Sequence, residues 1–309
     1  MPQKTKAYLA LLFVCIAWGT TYLAIKVGVT HYPSFLFAGI RQVAAGVIIM
    51  GIAFLFNRQV QLTSSNIKHN MLVGFLMITV GNGLVSWAEQ YVPSGVAALI
   101  CAMMPLFAVM INLMGSDRER INPLIVIGMI LGFGGVAINF KDNISDLGKT
   151  SYIGGIIALL CATSCWALGS IVNKRRTQQV NPSFNAGMQL FFGGAFLLCI
   201  SPFVDNYNKA NFGNMDAFWA LMYLIVVGSV IAYTVYMFAL KELPVGLVMI
   251  YAYVNPLVAV VLGYWWLKEP ITLYTALSFI SILLGVYLVN RGYKREHLKA
   301  LLAQKESVQ

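Results

Sequence analysis

The sequence predicts an all-α integral membrane protein with ten transmembrane helices, arranged as two inverted repeats of five helices each. The first reason is composition: 59% of the residues are hydrophobic and 10% are charged, whereas a soluble domain carries about 25% charged residues. The second is that apolar stretches of about 20 residues, the length that crosses a bilayer, recur along the whole chain. The third is that motifs of the first half return in the second half.

The ten predicted spans follow one another through short polar connections, which leave no room for a soluble or catalytic domain. Their boundaries are 7–28, 34–56, 71–91, 94–114, 121–140, 152–173, 183–204, 217–238, 246–267 and 271–290. Pro93 and Pro244 stand in the tight turns before the fourth and ninth spans, because a proline fits the first turn of a helix, where its missing N–H would have no partner. Trp18 and Lys26 interrupt the first span too early for a cleaved signal peptide.

The repeat consists of motifs that return at an offset of 148 to 151 residues. The matched residues are Pro93, Gly95 and Pro105 with Pro244, Gly246 and Pro256; Trp18 and Lys26 with Trp166 and Lys174; Gly39 and Gly46 with Gly187 and Gly194; and Glu119 and Gly135 with Glu269 and Gly285. The offset changes where loops are expected. We therefore predict a first repeat over 1–145 (helices 1–5) and a second over 146–309 (helices 6–10) with a short cytoplasmic tail.

Lysine and arginine predict the orientation. With the N-terminus in the cytoplasm, 15 of the 21 lie on the inner side and four on the outer side, and Lys26 and Arg41 fall within spans. The positive-inside rule therefore places both termini in the cytoplasm. Because five is an odd number, the second repeat enters the membrane from the opposite face. Inverted repeats of this kind have two near-equivalent states, one open to each side, which is the plan of secondary transporters.

Several other functions are excluded by the sequence. The net charge of +10 is ordinary for a multi-span protein and no aromatic–basic motif accompanies it, so we expect no nucleic-acid partner. Cys161 and Cys165 share a helix face without a histidine or acid beside them, and we expect no metal site. The three histidines lie at helix ends or in the tail, which leaves a membrane-embedded enzyme without catalytic residues. No P-loop is present, and we expect no cofactor.

Four stretches resemble the EamA family of the drug/metabolite transporter superfamily. They are Trp18-Gly-Thr-Thr-Tyr-Leu-Ala-Ile-Lys26, Ala88-Glu-Gln-Tyr-Val-Pro-Ser-Gly95, Pro256-Leu-Val-Ala-Val-Val-Leu-Gly-Tyr-Trp-Trp-Leu-Lys-Glu-Pro270 and Gly285-Val286, with Arg41 in the second span. The resemblance covers essentially the whole chain as two EamA repeats. It implies a ten-helix transporter of the bacterial cytoplasmic (inner) membrane, usually an exporter of amino acids, related metabolites or drugs. The second copy departs from the first at Gln189, opposite Arg41, and at Leu240, opposite Glu89.

The sequence thus favours a secondary active transporter that moves a small-molecule substrate across the lipid bilayer by alternating access. An alternative within the same superfamily is a translocator of a lipid-linked or phosphorylated metabolite. A phosphorylated substrate requires several cations in the cavity, and Lys26 and Arg41 are offset only by Glu89. An anionic substrate therefore stays open, as do the coupling ion and the oligomeric state.

Polar and aromatic residues recur at helical spacing along several spans. Trp18, Tyr22 and Lys26 share one face of the first span. Asn82, Ser86 and Glu89 share one face of the third span in the same way. Such faces either line a solute path or form hydrogen bonds that hold the bundle together. The candidate substrate-binding residues are Trp18, Tyr22, Asn82, Ser86, Trp166, Tyr233, Tyr251 and Asn255. Trp18 and Trp166 occupy equivalent positions near the bilayer midplane, where inverted repeats meet and transporters bind their cargo; the alternative is that both only fill a core.

Lys26, Arg41 and Glu89 fall in the outer half of the membrane by this topology. They form either an ion pair that closes the external side or, in the case of Glu89, a carboxylate that couples transport to protons. Because Glu89 lies near the end of its helix, we expect its carboxylate to reach solvent. Glu119 and Glu269 lie in loops, and we expect both to be solvated.

Pro105 and Pro256 stand in the middle of the fourth and ninth spans. Each removes a backbone hydrogen bond to the carbonyl four residues earlier, Cys101 and Ala252, and is expected to bend its helix. The two kinks are either hinges of the two gating helices or adjustments that only improve packing.

Overall fold

A computed structural model of the chain describes residues 3–56, 62–114, 122–139, 149–175, 182–243 and 251–306. All regular structure in these ranges is helical, in the predicted order. The first repeat consists of α1 (Gln3–His31), α2 (Ser34–Phe56), α3 (Ser64–Ala88), α4a (Ser94–Cys101), α4b (Met104–Met114) and α5 (Pro123–Asn139). The second consists of α6 (Thr150–Arg175), α7 (Pro182–Val204), a short 3₁₀ turn (Tyr207–Lys209), α8 (Met215–Tyr223, Leu224–Ile231 and Ala232–Glu242 in succession), α9 (Tyr251–Leu267) and α10 (Leu273–Glu306).

Eight of the described helical spans are long and apolar enough to cross a membrane, and α5 and α9 are shorter apolar helices. Large apolar side chains cover the outside of the bundle, among them Leu55, Phe56 and Trp266. That surface is the one a bilayer would surround. Pro244, Gly246 and Glu119 lie outside the described residues.

One boundary differs from the prediction. The third helix begins at Ser64 rather than at 71, because the Thr63 side chain accepts a hydrogen bond from the Asn66 N–H and caps a polar first turn. Hydropathy did not indicate this extension because its residues are mostly polar. The tenth helix continues past its span to Glu306, so the described part of the tail after 290 is helical.

Each repeat contains a π-helical segment at the same place in its third span. The segments are Phe75–Asn82 in α3 and Leu224–Ile231 in α8, so their bounds differ by 149 residues. Wider turns of this kind change the carbonyl hydrogen bonds along one face of the helix and are frequent at functional sites. The matched segments show that the two repeats share this backbone conformation as well as their sequence motifs.

The two repeats meet where α2 packs along α7. Gly46 faces Gly187: a Cβ placed on Gly46 would lie 2.8 Å from the Gly187 carbonyl oxygen, and one on Gly187 would lie 3.0 Å from the Gly46 carbonyl oxygen. Gly194 faces Gly39 in the same way, because a Cβ on Gly194 would lie 3.0 Å from the Gly39 carbonyl oxygen. Glycines are needed here because the two backbones touch.

These contacts have the reciprocal pattern of a two-fold axis. Gly39 and Gly46 are equivalent by repeat to Gly187 and Gly194, and each contacts the equivalent of the other. Contacts later in α2 are to residues earlier in α7, so the helices run antiparallel. The repeats are therefore inverted.

A second contact along the pseudo-two-fold axis joins α5 and α10 in the same reciprocal way. A Cβ on Gly128 would lie 2.6 Å from the Gly285 carbonyl oxygen, and one on Gly135 would lie 3.0 Å from the Ser278 carbonyl oxygen. Gly135 and Gly128 correspond to Gly285 and Ser278 at an offset of 150. Each of the two helix pairs therefore joins one repeat to the other about the pseudo-two-fold axis.

The two mid-span prolines differ in their effect. The fourth span is broken between α4a and α4b, at Ala102 and Met103, just before Pro105. The Met103 N–H bonds back to Ile100 at 3.0 Å and the Leu106 N–H to Met103 at 2.8 Å. By contrast, α9 runs without a break through Pro256.

Candidate solute path and charged cluster

An aromatic cluster lies between α1, α8 and α9. The Trp18 ring lies 4.9 Å from Tyr251, edge to face, and 5.0 Å from Tyr236, while Tyr233 lies 6.4 Å from Tyr236. Three of the residues predicted from the sequence are therefore neighbours. Tyr236 was missed, although it is three residues from Tyr233 and so shares its helix face.

The indole of Trp18 is held by the π-helical segment of α8. Its Nε1 donates to the Gly228 carbonyl oxygen at 3.2 Å. Gly228 fits there because a Cβ would lie 3.0 Å from the Thr21 side chain. The adjacent Ser229 accepts a hydrogen bond at 3.2 Å from Nε of Arg41, which is 6% exposed. One segment of the second repeat thus positions two candidate residues of the first.

Trp166 has an equivalent environment in a separate cluster. It packs with Phe35, Ile78 and Leu197, and a Cβ on Gly81 would lie 2.9 Å from its ring. Gly81 belongs to the π-helical segment of α3. Each tryptophan therefore packs against the π-helical segment of the opposite repeat, and a common role in substrate binding stays a prediction.

Asn255 connects two helices. Its amide faces the carbonyl oxygens of Cys15 and Tyr251 at 3.0 and 2.9 Å, so that its nitrogen donates to both. Tyr22 has a different neighbour, because it lies beside the Cys101 thiol of α4a. Asn255 therefore holds α9 against α1. Of the two alternatives for polar residues within the spans, this contact is of the kind that holds the bundle together.

A column of buried polar oxygens follows one face of α3. Asn82 Oδ1, Ser86 Oγ and both carboxylate oxygens of Glu89 are buried without a hydrogen-bond partner. The three residues are spaced by four and three positions and share a face. An oxygen buried in this way costs about 1–3 kcal/mol. The column is therefore the part of the described structure best suited to receive a polar solute.

The expectation that Glu89 reaches solvent is wrong. Its side chain is 0% exposed, because α1 covers the end of α3. Lys26 of α1 donates from Nζ to two backbone carbonyl oxygens at this end, those of Glu89 and of Val92, the latter at 3.1 Å. Lys26 and Arg41 both interact electrostatically with the Glu89 carboxylate, but neither donates a hydrogen bond to it.

Glu269 lies in a loop, as predicted, but it is half-buried and its carboxylate is bound to another helix. Its carboxylate accepts hydrogen bonds from the Ser94 N–H at 2.8 Å, the Ser94 hydroxyl at 3.0 Å and the Gly95 N–H at 3.3 Å. Glu269 thereby caps the first turn of α4a, whose N–H groups lack partners within the helix. It comes from the other repeat, 175 positions away from Ser94.

Five amides form a cluster at the opposite end of α3, and the sequence indicated only one of them. Gln189 Nε2 donates to Asn70 Oδ1 at 2.9 Å and to Asn173 Oδ1 at 3.1 Å, and Asn66 Nδ2 donates to Asn185 Oδ1 at 3.1 Å. Gln189 stands where the first repeat has Arg41. The cluster joins α3, α6 and α7 by neutral groups at one end, whereas charged groups make the contacts at the other.

Comparison with known proteins gives consistent results. Residues 5–141 and 153–291 each match the EamA-like transporter family. The uncharacterized inner membrane transporter YedA of Escherichia coli K12 is 33% identical over 286 residues, covering 92% of this chain and 90% of the relative. The uncharacterized transporter YoaV of Bacillus subtilis 168 is 23% identical over 290 residues, covering 94% of this chain and 98% of the relative.

One solved crystal structure superposes on the model with a TM-score of 0.62, covering 94% of this chain and 98% of that chain at 17% sequence identity. At this identity the likeness concerns the fold alone.

Proposed function

Because the chain belongs to the EamA-like transporter family, we propose that it exports a small amphipathic metabolite, such as an amino acid, a related metabolite or a drug, by alternating access. It is a multi-pass membrane protein with a small-molecule substrate. We place it in the inner membrane with both termini in the cytoplasm, following the distribution of lysine and arginine.

The column of unpartnered oxygens on α3 carries the proposal. Buried polar atoms in proteins nearly always have a partner, and three residues in succession on one helix face do not. A solute that offers donors as it passes would satisfy them in turn. The column adjoins α1, since Glu89 at its end interacts with both Tyr22 and Lys26.

The aromatic cluster supports an amphipathic cargo. Trp18, Tyr236 and Tyr251 present apolar rings, while Asn82, Ser86 and Glu89 present oxygen atoms. A small solute with one apolar part and one polar part suits such a pair of surfaces.

A phosphorylated or lipid-linked cargo fits the geometry less well. Such a cargo needs several cationic groups. Lys26 already donates to two carbonyl oxygens, and Arg41 already donates from Nε to Ser229.

The test is transport in reconstituted vesicles with a labelled metabolite panel, with and without a proton gradient. We expect at least one small amphipathic metabolite to be carried. Trp18→Phe should lower the apparent affinity roughly three- to tenfold, since an aromatic contact is worth about 0.5–1.5 kcal/mol. Trp265→Phe is the matched control, because Trp265 is 67% exposed on the outside of the bundle. Transport of phosphorylated compounds alone, or equal behaviour of the two variants, would contradict the proposal.

A further inference from the structure

The turn between α3 and α4a, residues 89–93, is held from two sides by opposite charges. Lys26 binds carbonyl oxygens at the carboxyl end of α3, and Glu269 binds N–H groups at the amino end of α4a. Each charge complements the helix end that it contacts, because carboxyl ends are partially negative and amino ends partially positive. Of these two contacts, only the one made by Glu269 joins residues of different repeats.

The turn after α9 positions the Glu269 carboxylate at the first turn of α4a. Lys268 has a φ of 58°, a left-handed conformation that costs a residue with a side chain roughly 1–3 kcal/mol. The resulting turn directs the Glu269 N–H back onto the Gly263 carbonyl oxygen at 3.1 Å. Gly263 makes room for this carboxylate, because a Cβ there would overlap the Glu269 Oε2 and lie 3.0 Å from the Ser94 hydroxyl oxygen.

The helix that Glu269 holds is short and separate. The break at Ala102 and Met103 divides α4a from α4b, and the span would bend here if α4a moved. Asp205 provides a contrast, because it caps α2 by accepting from the Phe35 and Leu36 N–H groups at 3.2 and 2.9 Å. Along α2, however, glycine contacts with α7 hold the helix in place whether or not the cap is made.

We propose that Glu269 is a gating residue: its contact with Ser94 and Gly95 closes this end of the bundle and is released when the end opens. The inference rests on the proposed function, because a gate requires a transporter that alternates between two states. Glu89 is fully buried beside this turn, and Cys101 at the end of α4a interacts with both Glu89 and Tyr22.

Accessibility of Cys101 tests the proposal without a substrate. The full-length protein would carry Cys101 as its single cysteine, with Cys15, Cys161, Cys165 and Cys199 replaced by alanine, and would be labelled in lipid nanodiscs with a charged thiosulfonate. Glu269→Ala should speed labelling about tenfold, as expected when a charge-assisted contact is lost from the closed state. Ser94→Ala should have a smaller effect alone and add nothing to Glu269→Ala.

Two further variants keep the result interpretable. Gly263→Ala, which keeps the glutamate but places a Cβ against its carboxylate and against Ser94, should also speed labelling. Asp205→Ala should reduce thermal stability but leave the labelling rate within about twofold, because it removes a cap from the scaffold. Unchanged or slower labelling in both Glu269→Ala and Gly263→Ala would overturn the gate. Failure to transport any metabolite would overturn the proposed function and leave the labelling result intact.

Discussion

The Glu89 carboxylate is fully buried and interacts with two cations, Lys26 and Arg41, and with the Glu269 carboxylate, yet neither cation donates a hydrogen bond to it. Lys26 is occupied by backbone carbonyl oxygens and Arg41 by Ser229. A buried carboxylate without a donor is costly, so its position is not explained by packing. Its two oxygens are available to a proton, to a cationic group of the solute, or to Lys26 in another state of the transporter.

We expect Glu89→Gln to reduce transport at least tenfold without loss of folded protein, because glutamine keeps the shape and removes the charge. The argument for a purely external ion pair depended on a shallow, solvated carboxylate, and Glu89 is buried. We therefore expect any proton dependence of transport to disappear in this variant, measured as uptake at several imposed pH gradients. Asp216→Asn, which neutralises an exposed acid at the start of α8, is the control. Proton dependence retained by Glu89→Gln would assign the residue to an ion pair instead.

At the scale of the helix, the two repeats use their matched prolines differently. Pro105 follows a break in the fourth span, while Pro256 lies inside an unbroken α9. Both remove one backbone hydrogen bond, but only the fourth span is divided into two helices. An asymmetry of this kind is expected of one state of an alternating transporter, in which equivalent helices adopt different shapes.

If the prolines are hinges, replacing Pro105 should slow transport more than replacing Pro256. Pro105→Ala should join α4a to α4b and slow turnover about tenfold with normal folded yield, because α4a then moves only with the whole span. Pro256→Ala should have a smaller effect on the rate. Initial transport rates normalised to folded protein would measure both. A parallel loss of yield and rate in both variants would indicate that the prolines serve packing.

The elements differ in how far the sequence predicts them. Hydropathy located the spans because each is mostly apolar, and the repeat emerged from glycine, proline and tryptophan spacing. The π-helical segments were not predictable, because the carbonyl of Gly228 is used by Trp18, which is 210 positions away. The contact of Glu269 was not predictable for the same reason: its partner Ser94 belongs to the other repeat. Within the candidate site, local spacing predicted the column on α3, whereas Tyr236 and the amide cluster required the packing.

At the scale of the molecule, the axis formed by α2 with α7 and by α5 with α10 holds the two repeats together. The closest contacts are between glycines and backbone atoms, and they repeat reciprocally about the axis. A rigid axis leaves the helices around it to move, in agreement with a gate at α4a and α9.

We expect Gly46→Ala to destabilise the protein by about 1–3 kcal/mol, the usual cost of overpacking a tight contact. The matched control is Gly51→Ala in the same helix, since a Cβ there would meet nothing within 4 Å. That change should be neutral or slightly stabilising, because alanine favours a helix by about 1 kcal/mol over glycine. Thermal unfolding in detergent would compare them. Equal melting temperatures would contradict the axial contact.

The orientation in the membrane is testable by fusion. Because lysine and arginine divide 15 to four in favour of one side, a reporter enzyme that is active only outside the cytoplasm should be active when fused after residue 145. It should be silent when fused at Gln309. The opposite pattern would place the charged end, with Glu89 and Glu269, in the cytoplasm.

The glycine contacts across the axis also bear on biosynthesis. The glycine faces of α2 and α5 have their partners in α7 and α10, which leave the ribosome only after the first repeat has been made. The first five helices therefore enter the bilayer with their closest-packing faces against lipid and wait there for the second repeat. A chain that terminates early, after the first repeat, would present the same uncovered faces and become a substrate for membrane proteases rather than a smaller working protein.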